Sequence, residues 1–402
     1  MVMNFPITFE PNILLSGSQV YKRWCVRMPA LSEANNTFAL NFFKKIGEEE
    51  SEENVFYSPL SLYYALTMVL EGATGETAEQ IQQVLSLSKN TDVHQSFQSF
   101  LAEVNKTGAP PLLRVANALF GEKTCGFLSP FKESCQKFYF SNVEELDFAH
   151  MPEAARKHIN DWVEEKTEGK ISELLANDSV DVMTNLVLVN AIYFNGKWEK
   201  PFDKAKTAEK MFNISEKKQK PVQMMYQRST FSMTFIEDIP TQILVLPYAG
   251  GHMDMVILLP VENKHLKMLK KRLTSENLVD WINPEMMNEI EVEVFLPKFI
   301  LAEHLDVEVI LQKLGMLDAF DKTKADFSKM SARNDLCLSK VIHKAYVEVN
   351  EEGTVAVSST AAVMMTRSER MSLEFKADHP FIFYLIEKQT NKIVFIGEVT
   401  SP

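Results

Sequence analysis

The chain has 402 residues, 46% hydrophobic and 24% charged, with a formal net charge of −12. That composition is ordinary for a globular protein, and so acidic a chain lacks the basic surface that displaces counterions from a phosphate backbone, which excludes nucleic acid as a partner. No apolar run reaches the roughly 18 residues that cross a bilayer, so no membrane partner is expected.

Cysteines occur at Cys25, Cys125, Cys135 and Cys337, with no CxxC pair. They are too sparse for a disulfide scaffold and fit a reducing, cytoplasmic setting. The N-terminus has no basic leader ahead of an apolar core and does not read as a secretory signal. Four NxS/T sequons, at Asn35, Asn105, Asn177 and Asn213, would be unused in that setting.

In chain order, residues 1–27 show no sustained period and read as a loose extension. A second start at Met28 opens a helix with Leu31, Ala34, Phe38, Phe42 and Ile46 on one face. "YSPLSLYYALTMVLEGATG" is a helix capped by Ser58, with Pro59 in its first turn and Gly72 at its end. "GETAEQIQQVLSL" is a further helix and Leu112–Phe120 a strand. Ser129–Pro130 repeats the Ser-Pro helix start. A helix after Pro152 turns Ile159, Trp162 and Val163 inward. Val182–Gly196 is a continuous apolar run, the pattern of a strand buried on both faces.

Further on, a hairpin turns at Gly250–Gly251, and "IEVEVFLPKFIL" alternates with period two. "EHLDVEVILQKLGM" is a helix ended by Gly315, Leu338–Asn350 is a strand, and a hairpin closes the chain. The basic clusters Glu216–Lys220 and Lys267–Arg272 read as a solvated loop and a solvated helix face. Helices dominate early, strands late, and βαβ alternation is missing, so the fold class is α+β in one large domain, 28–402.

Catalytic signatures are missing. The eight histidines include no HExxH spacing, and there is no GxSxG elbow and no phosphate-binding glycine loop. No metal or cofactor is expected and an enzyme is disfavoured.

The segment from Glu351 to Phe375 is the unusual one. Gly353 supplies a joint. Thr354, Ala356, Ser358, Thr360 and Ala362 then form one face of an extended strand, all small. The other face carries Val355, Val357, Ser359, Ala361 and Val363. A uniformly small face enters a crowded sheet without clash or stranded charge. The segment therefore reads either as a loop able to become an extra strand or as a flexible small-residue loop. Beyond it, Arg367 and Arg370 are placed where a protease cleft would take an extended segment and fork-bond an arginine.

These residues resemble the serpin family. Gly353, Thr354 and Ala356 match its loop hinge, together with Glu351 and Ser358. "NVFYSPLS" (54–61), with Asn54 and Ser58, is similar to its shutter motif. "VNAIYFNGKWEKPF" (189–202) is similar to its third central strand and breach, with Asn190 and Trp198. His343 stands where the family has a shutter histidine. The end of the chain resembles the family's C-terminal signature. The likeness covers about Met28 to Pro402 and is strongest to the ovalbumin-like intracellular branch, with a loop most similar to the cytoplasmic antiproteinase (placental thrombin inhibitor) type.

The resemblance implies three β-sheets, eight or nine helices and an exposed reactive-centre loop. It implies a monomer that traps a trypsin-like serine protease by suicide inhibition. The family's spacing of fourteen residues from the hinge glycine puts the reactive bond at Arg367–Ser368, with Arg370 as the alternative bait. It implies that Asn54, Ser58, Asn190 and His343 form a polar latch under the sheet. Val355 and Val357 depart from the family's usual glutamate and alanine, and they keep a non-inhibitory binding or chaperone role as the alternative.

Overall fold

The computed structural model describes residues 30–47, 53–88, 99, 113–302, 305–333, 335–353 and 373–402. Among these are eight α-helices and fourteen strands in an α+β arrangement. Residues 1–27 lie outside the described residues.

Helix α1 (Ala30–Ile46) buries Leu31, Ala34, Phe38 and Phe42, the face its periodicity predicts. Strand β1 (Val55–Tyr57) leads into α2 (Pro59–Gly72). The Ser58 hydroxyl accepts from the Ser61 N–H at 3.2 Å, and Pro59 follows at the first position, where its missing N–H costs nothing. Leu60, Leu62, Tyr63, Leu66 and Val69 are all at most 1% exposed, because α2 is wedged between β14 and β4 and has no free face. Helices α3 (Gly75–Val84), α4 (Ser129–Tyr139) and α5 (Pro152–Lys166) follow as the sequence predicts, except that α4 starts without a serine cap: Leu128 holds the cap position and Ser129 is its first helical residue.

Five strands form the central sheet in the order β10 (Phe299–Leu301), β11 (Lys340–Val349), β4 (Leu186–Phe194), β2 (Leu113–Glu122), β3 (Asn142–Leu146). Every residue of β4 is buried. Its side chains alternate between two cores: Leu186, Leu188, Ile192 and Phe194 face α2, whereas Val187, Val189 and Ala191 face Ile159 and Val163 of α5. That double cover explains the unbroken apolar run. The run predicted a strand from 182, yet the strand begins at Leu186, and Val182 and Met183 precede it at 58% and 68% exposure.

At the centre of this sheet β11 and β4 run parallel, in register from Lys340 opposite Val187 to Tyr346 opposite Tyr193. Strand β2 pairs antiparallel with β4, and β10 antiparallel with β11. The β4–β11 seam is thus a same-direction pair, flanked on each side by an antiparallel neighbour.

The remaining nine strands form one hydrogen-bonded network, β1-β14-β13-β8-β7-β6-β9-β12 with β5 on β6. The members are β5 (Ala208–Ser215), β6 (Lys218–Ile236), β7 (Thr241–Pro247), β8 (Met253–Pro260), β9 (Asn288–Pro297), β12 (Leu373–Lys376), β13 (Phe381–Glu387) and β14 (Lys392–Val399). Strand β6 is 19 residues long and serves both halves, pairing with β5 and β9 along most of its length and with β7 at its end. Two of the three expected sheets are therefore continuous through it. The basic run 216–220 is mostly strand: Lys218 and Lys220 open β6, with lysines on an exposed edge. Helices α6 (Asn263–Arg272), α7 (Ser275–Trp281) and α8 (Val307–Leu314) complete the set, and Gly315 ends α8 at φ +111°. Of the sequon asparagines, Asn35 is buried and its amide donates to the Ile393 carbonyl at 3.0 Å, so the folded chain offers no glycan site there.

Candidate functional site

Three buried polar side chains meet under the β4–β11 seam. Asn190 and His343 are opposite each other in the parallel register, and Ser58 caps α2 just below. Their exposures are 0%, 2% and 0%. The Ser58 N–H donates to His343 Nε2 at 3.0 Å, so Nε2 is unprotonated. Nδ1 then carries the proton and donates to Asn190 Oδ1. The Asn190 amide donates to Ser61 Oγ at 2.5 Å and to Asn117 Oδ1. Ser58 Oγ donates to the Val394 carbonyl at 2.7 Å. One network thereby ties α2, β2, β4, β11 and β14 together, and its His343–Asn190 bond crosses the seam. Separating β4 from β11 must break that bond.

Asn54 is not part of this cluster, which corrects the grouping expected from sequence. Its Oδ1 accepts from the Thr400 and Ser401 N–H groups at 2.8 and 3.0 Å, and its amide donates to the Ser401 carbonyl. It clamps the chain's last residues beside β1. Ser61 and Asn117 are the members that sequence reasoning missed. The available signal was a polar residue inside an apolar strand: Asn117 in "RVANALF" lies directly opposite Asn190 in "VLVNAIYF".

Burial pushes the His343 pKa down to about 3. The folded state holds the imidazole neutral, while an unfolded one protonates near pH 6.5. Stability from this group is therefore complete above pH 6.5 and falls as pH drops toward 3. Between pH 6.5 and 5 the loss should be about 2 kcal/mol, at 1.4 kcal/mol per unit. Urea unfolding midpoints across that window should fall for the native chain and much less for His343→Gln. Parallel slopes would remove His343 as the cause.

A second cluster holds the foot of the loop at the top of the seam. Trp198, 4% exposed, stacks on Tyr248 at 4.4 Å and donates from Nε1 to the Asn350 carbonyl at 2.9 Å. The Trp198 and Phe202 N–H groups donate to the Glu352 and Glu351 carbonyls at 2.9 and 2.8 Å. The Glu351 carboxylate is 4% exposed and accepts from Thr207 Oγ1 at 2.8 Å and from Lys298 Nζ at 3.0 Å. Burial alone would raise its pKa; a backbone N–H, Lys298 and Thr207 outweigh burial and hold it below the usual carboxylate range. Glu352 pairs with Lys204 at 2.6 Å.

Gly353 closes this foot at φ +135°, and a Cβ there would lie 2.2 Å from the Gly196 carbonyl oxygen. Both the backbone angle and the contact demand glycine. The other end of the loop re-enters the fold at Leu373, where β12 pairs parallel with β9. Thr354, Ala356, Ser358, Arg367, Ser368 and Arg370 lie outside the described residues, as do Val355 and Val357. No group of three or more His, Cys, Asp or Glu side chains suited to a metal occurs among the described residues. Cys125, Cys135 and Cys337 are free and buried. No described helix is long and apolar enough to cross a membrane.

Residues 33–402 match the Serpin (serine protease inhibitor) family. The chain is 56% identical over 378 residues to Serpin B6 of Pongo abelii, covering 93% of this chain and all of that one. It is 45% identical over 379 residues to the leukocyte elastase inhibitor of Equus caballus, again over 93% of this chain and all of that one. Among solved structures, uncleaved ovalbumin superposes with a TM-score of 0.85 at 33% identity, over 93% of this chain and all of the other. With a loop foot pinned over a closed parallel seam, and with likeness along nearly its whole length, the chain belongs to the serpin family.

Proposed function

We propose that this chain inhibits a trypsin-like serine protease by suicide trapping, acting in the cytoplasm as a monomer and not as an enzyme. The observation that carries the reading is the β4–β11 seam. Two parallel strands stand side by side, and the loop foot at Gly353 follows directly from the top of β11. A segment turning back there would run antiparallel to both strands and pair with each.

The protease serine would attack the carbonyl carbon of Arg367, the bond to the Ser368 nitrogen would break, and an acyl-enzyme would remain. The freed segment 354–367 would slide into the seam as a new strand and drag the protease with it. Removing the acyl carbonyl from the oxyanion hole would stop deacylation, since each donor there contributes roughly 3–4 kcal/mol. Insertion requires the His343–Asn190 bond to break, because the new strand would stand between the two residues.

Arg367 is what favours a trypsin-like target, because a guanidinium calls for a carboxylate-floored pocket. The relative named for elastase shows that this scaffold also serves other proteases, so the bait residue decides. Val355 and Val357 favour the second reading, a non-inhibitory binding or chaperone module, since the first lacks the family's usual carboxylate and the second is bulkier than its usual alanine.

Incubation with trypsin should give an SDS-resistant adduct whose peptide map ends at Arg367. Arg367→Ala should abolish it. Clean cleavage at Arg367 with full trypsin activity remaining would make the chain a substrate and favour the second reading.

A further inference from the structure

The two feet of the loop are joined by one end of the nine-strand network. On one side, Lys204 and Thr207, which lead into β5, are bonded to Glu352 and Glu351. On the other, Leu373 opens β12, which pairs with β9. The strands between are β5, β6 and β9.

The sheet carries two exposed lysines laid over aromatic rings. Lys206 Nζ is 6.0 Å from the centre of the Tyr226 ring, and Lys210 Nζ is 4.2 Å from that of Phe295. The two rings touch across β6 and β9, with centroids 5.0 Å apart. Neither lysine has an ion-pair partner among the described residues. Of the carboxylates on the same sheet, Arg228 takes Glu291 at 2.7 Å and Glu293 at 3.7 Å, Glu209 alternates to the opposite side of β5 from Lys210, and exposed Glu374 stands opposite Glu293 on β12, one strand beyond the rings. A lysine already resting on a ring has less rotamer freedom to lose on contact.

We propose that Lys206 and Lys210 form a second contact surface for the target protease, receiving an acidic patch beside its cleft. This rests on the reading of the loop as bait. The surface adjoins the foot of the loop, since Lys206 lies between Lys204 and Thr207, the two residues that hold it. Its work is to steer and speed encounter, not to set which bond is cut.

Anionic and cationic trypsins share a preference for arginine and differ in surface charge, so they test this directly. Second-order rate constants of capture are measured for both, at low and high ionic strength. Lys206→Glu with Lys210→Glu should slow capture of the anionic enzyme about ten-fold at low salt, with the effect shrinking at high salt. Capture of the cationic enzyme should be unchanged or faster, which also shows that the variant folds. Equal change with both enzymes, or no change with either, overturns the proposal. If the reversed variant traps neither, the neutral Lys206→Gln, Lys210→Gln pair decides by whether the anionic-to-cationic rate ratio falls. Failure of the bait reading has a different signature: the native chain forms no adduct with either trypsin.

Discussion

Cutting the loop after Arg367 should raise the melting temperature of this protein by roughly 10–40 °C, at about 1–2 °C per kcal/mol for a chain of this length. The cut removes a covalent link and would ordinarily destabilise. The opposite is expected because β4 and β11, nine and ten residues long, are paired with each other and have no strand between them. Inserting a strand exchanges one ladder for two. The gain is on the order of ten ladder bonds at about 1 kcal/mol each, with apolar burial added. Fourteen residues at about 3.3 Å reach some 45 Å, enough to run the length of either neighbour. Calorimetry of intact and trypsin-nicked protein measures this. A nicked chain that melts at or below the intact one would mean that no strand enters the seam.

A charge at the first small position of the loop should convert the inhibitor into a substrate. Thr354→Arg would require a guanidinium to enter the sheet at the top of the seam, next to Trp198 and Gly196, both buried. Burying an unpaired charge costs several kcal/mol. If 3–4 kcal/mol of that falls on the insertion barrier, insertion slows by roughly 10²–10³-fold. Deacylation would then win, and the protease would leave active with the loop cut. A gel and a residual-activity assay at increasing ratios of inhibitor to protease read the outcome. Val355→Arg is the matched control. The period of a strand sends it to the other face, where Ile342 and Tyr346 on β11 are only partly buried, and adduct formation should persist. Equal failure of both variants would refute the assigned register.

Both expected results turn on the same proposed arrangement: a seam that is satisfied locally but would not be the lowest state open to the whole chain. The latch would make that arrangement durable. Ser58, Asn190 and His343 satisfy one another without water, so the seam has no unpaired polar group urging it apart.

The sequence by itself determined the elements whose neighbours are close in the chain. Ser58 and Pro59 announced a helix start because a cap acts within three residues. The apolar run of β4 announced double burial because each of its faces meets a core, though its start was read four residues early. The small-residue alternation after Gly353 and the arginine at 367 were legible as chemistry, as was the resemblance they carried. Only the tertiary structure decided which polar residues share a site. Asn54 and Ser58 are four residues apart, yet one serves the chain's end and the other the seam, because β1 separates them. Thr207 and Lys298 carried no local mark of their roles, and Asn117 showed only a polar residue in an apolar strand, with nothing to say which strand it would meet. They were placed by strand register and by contacts spanning more than fifty residues of chain. The lysines over Tyr226 and Phe295 carry no motif in the sequence. Their common face arises only when β5, β6 and β9 pair, since a strand's side-chain period says which residues share a side but not which strand will lie beside it.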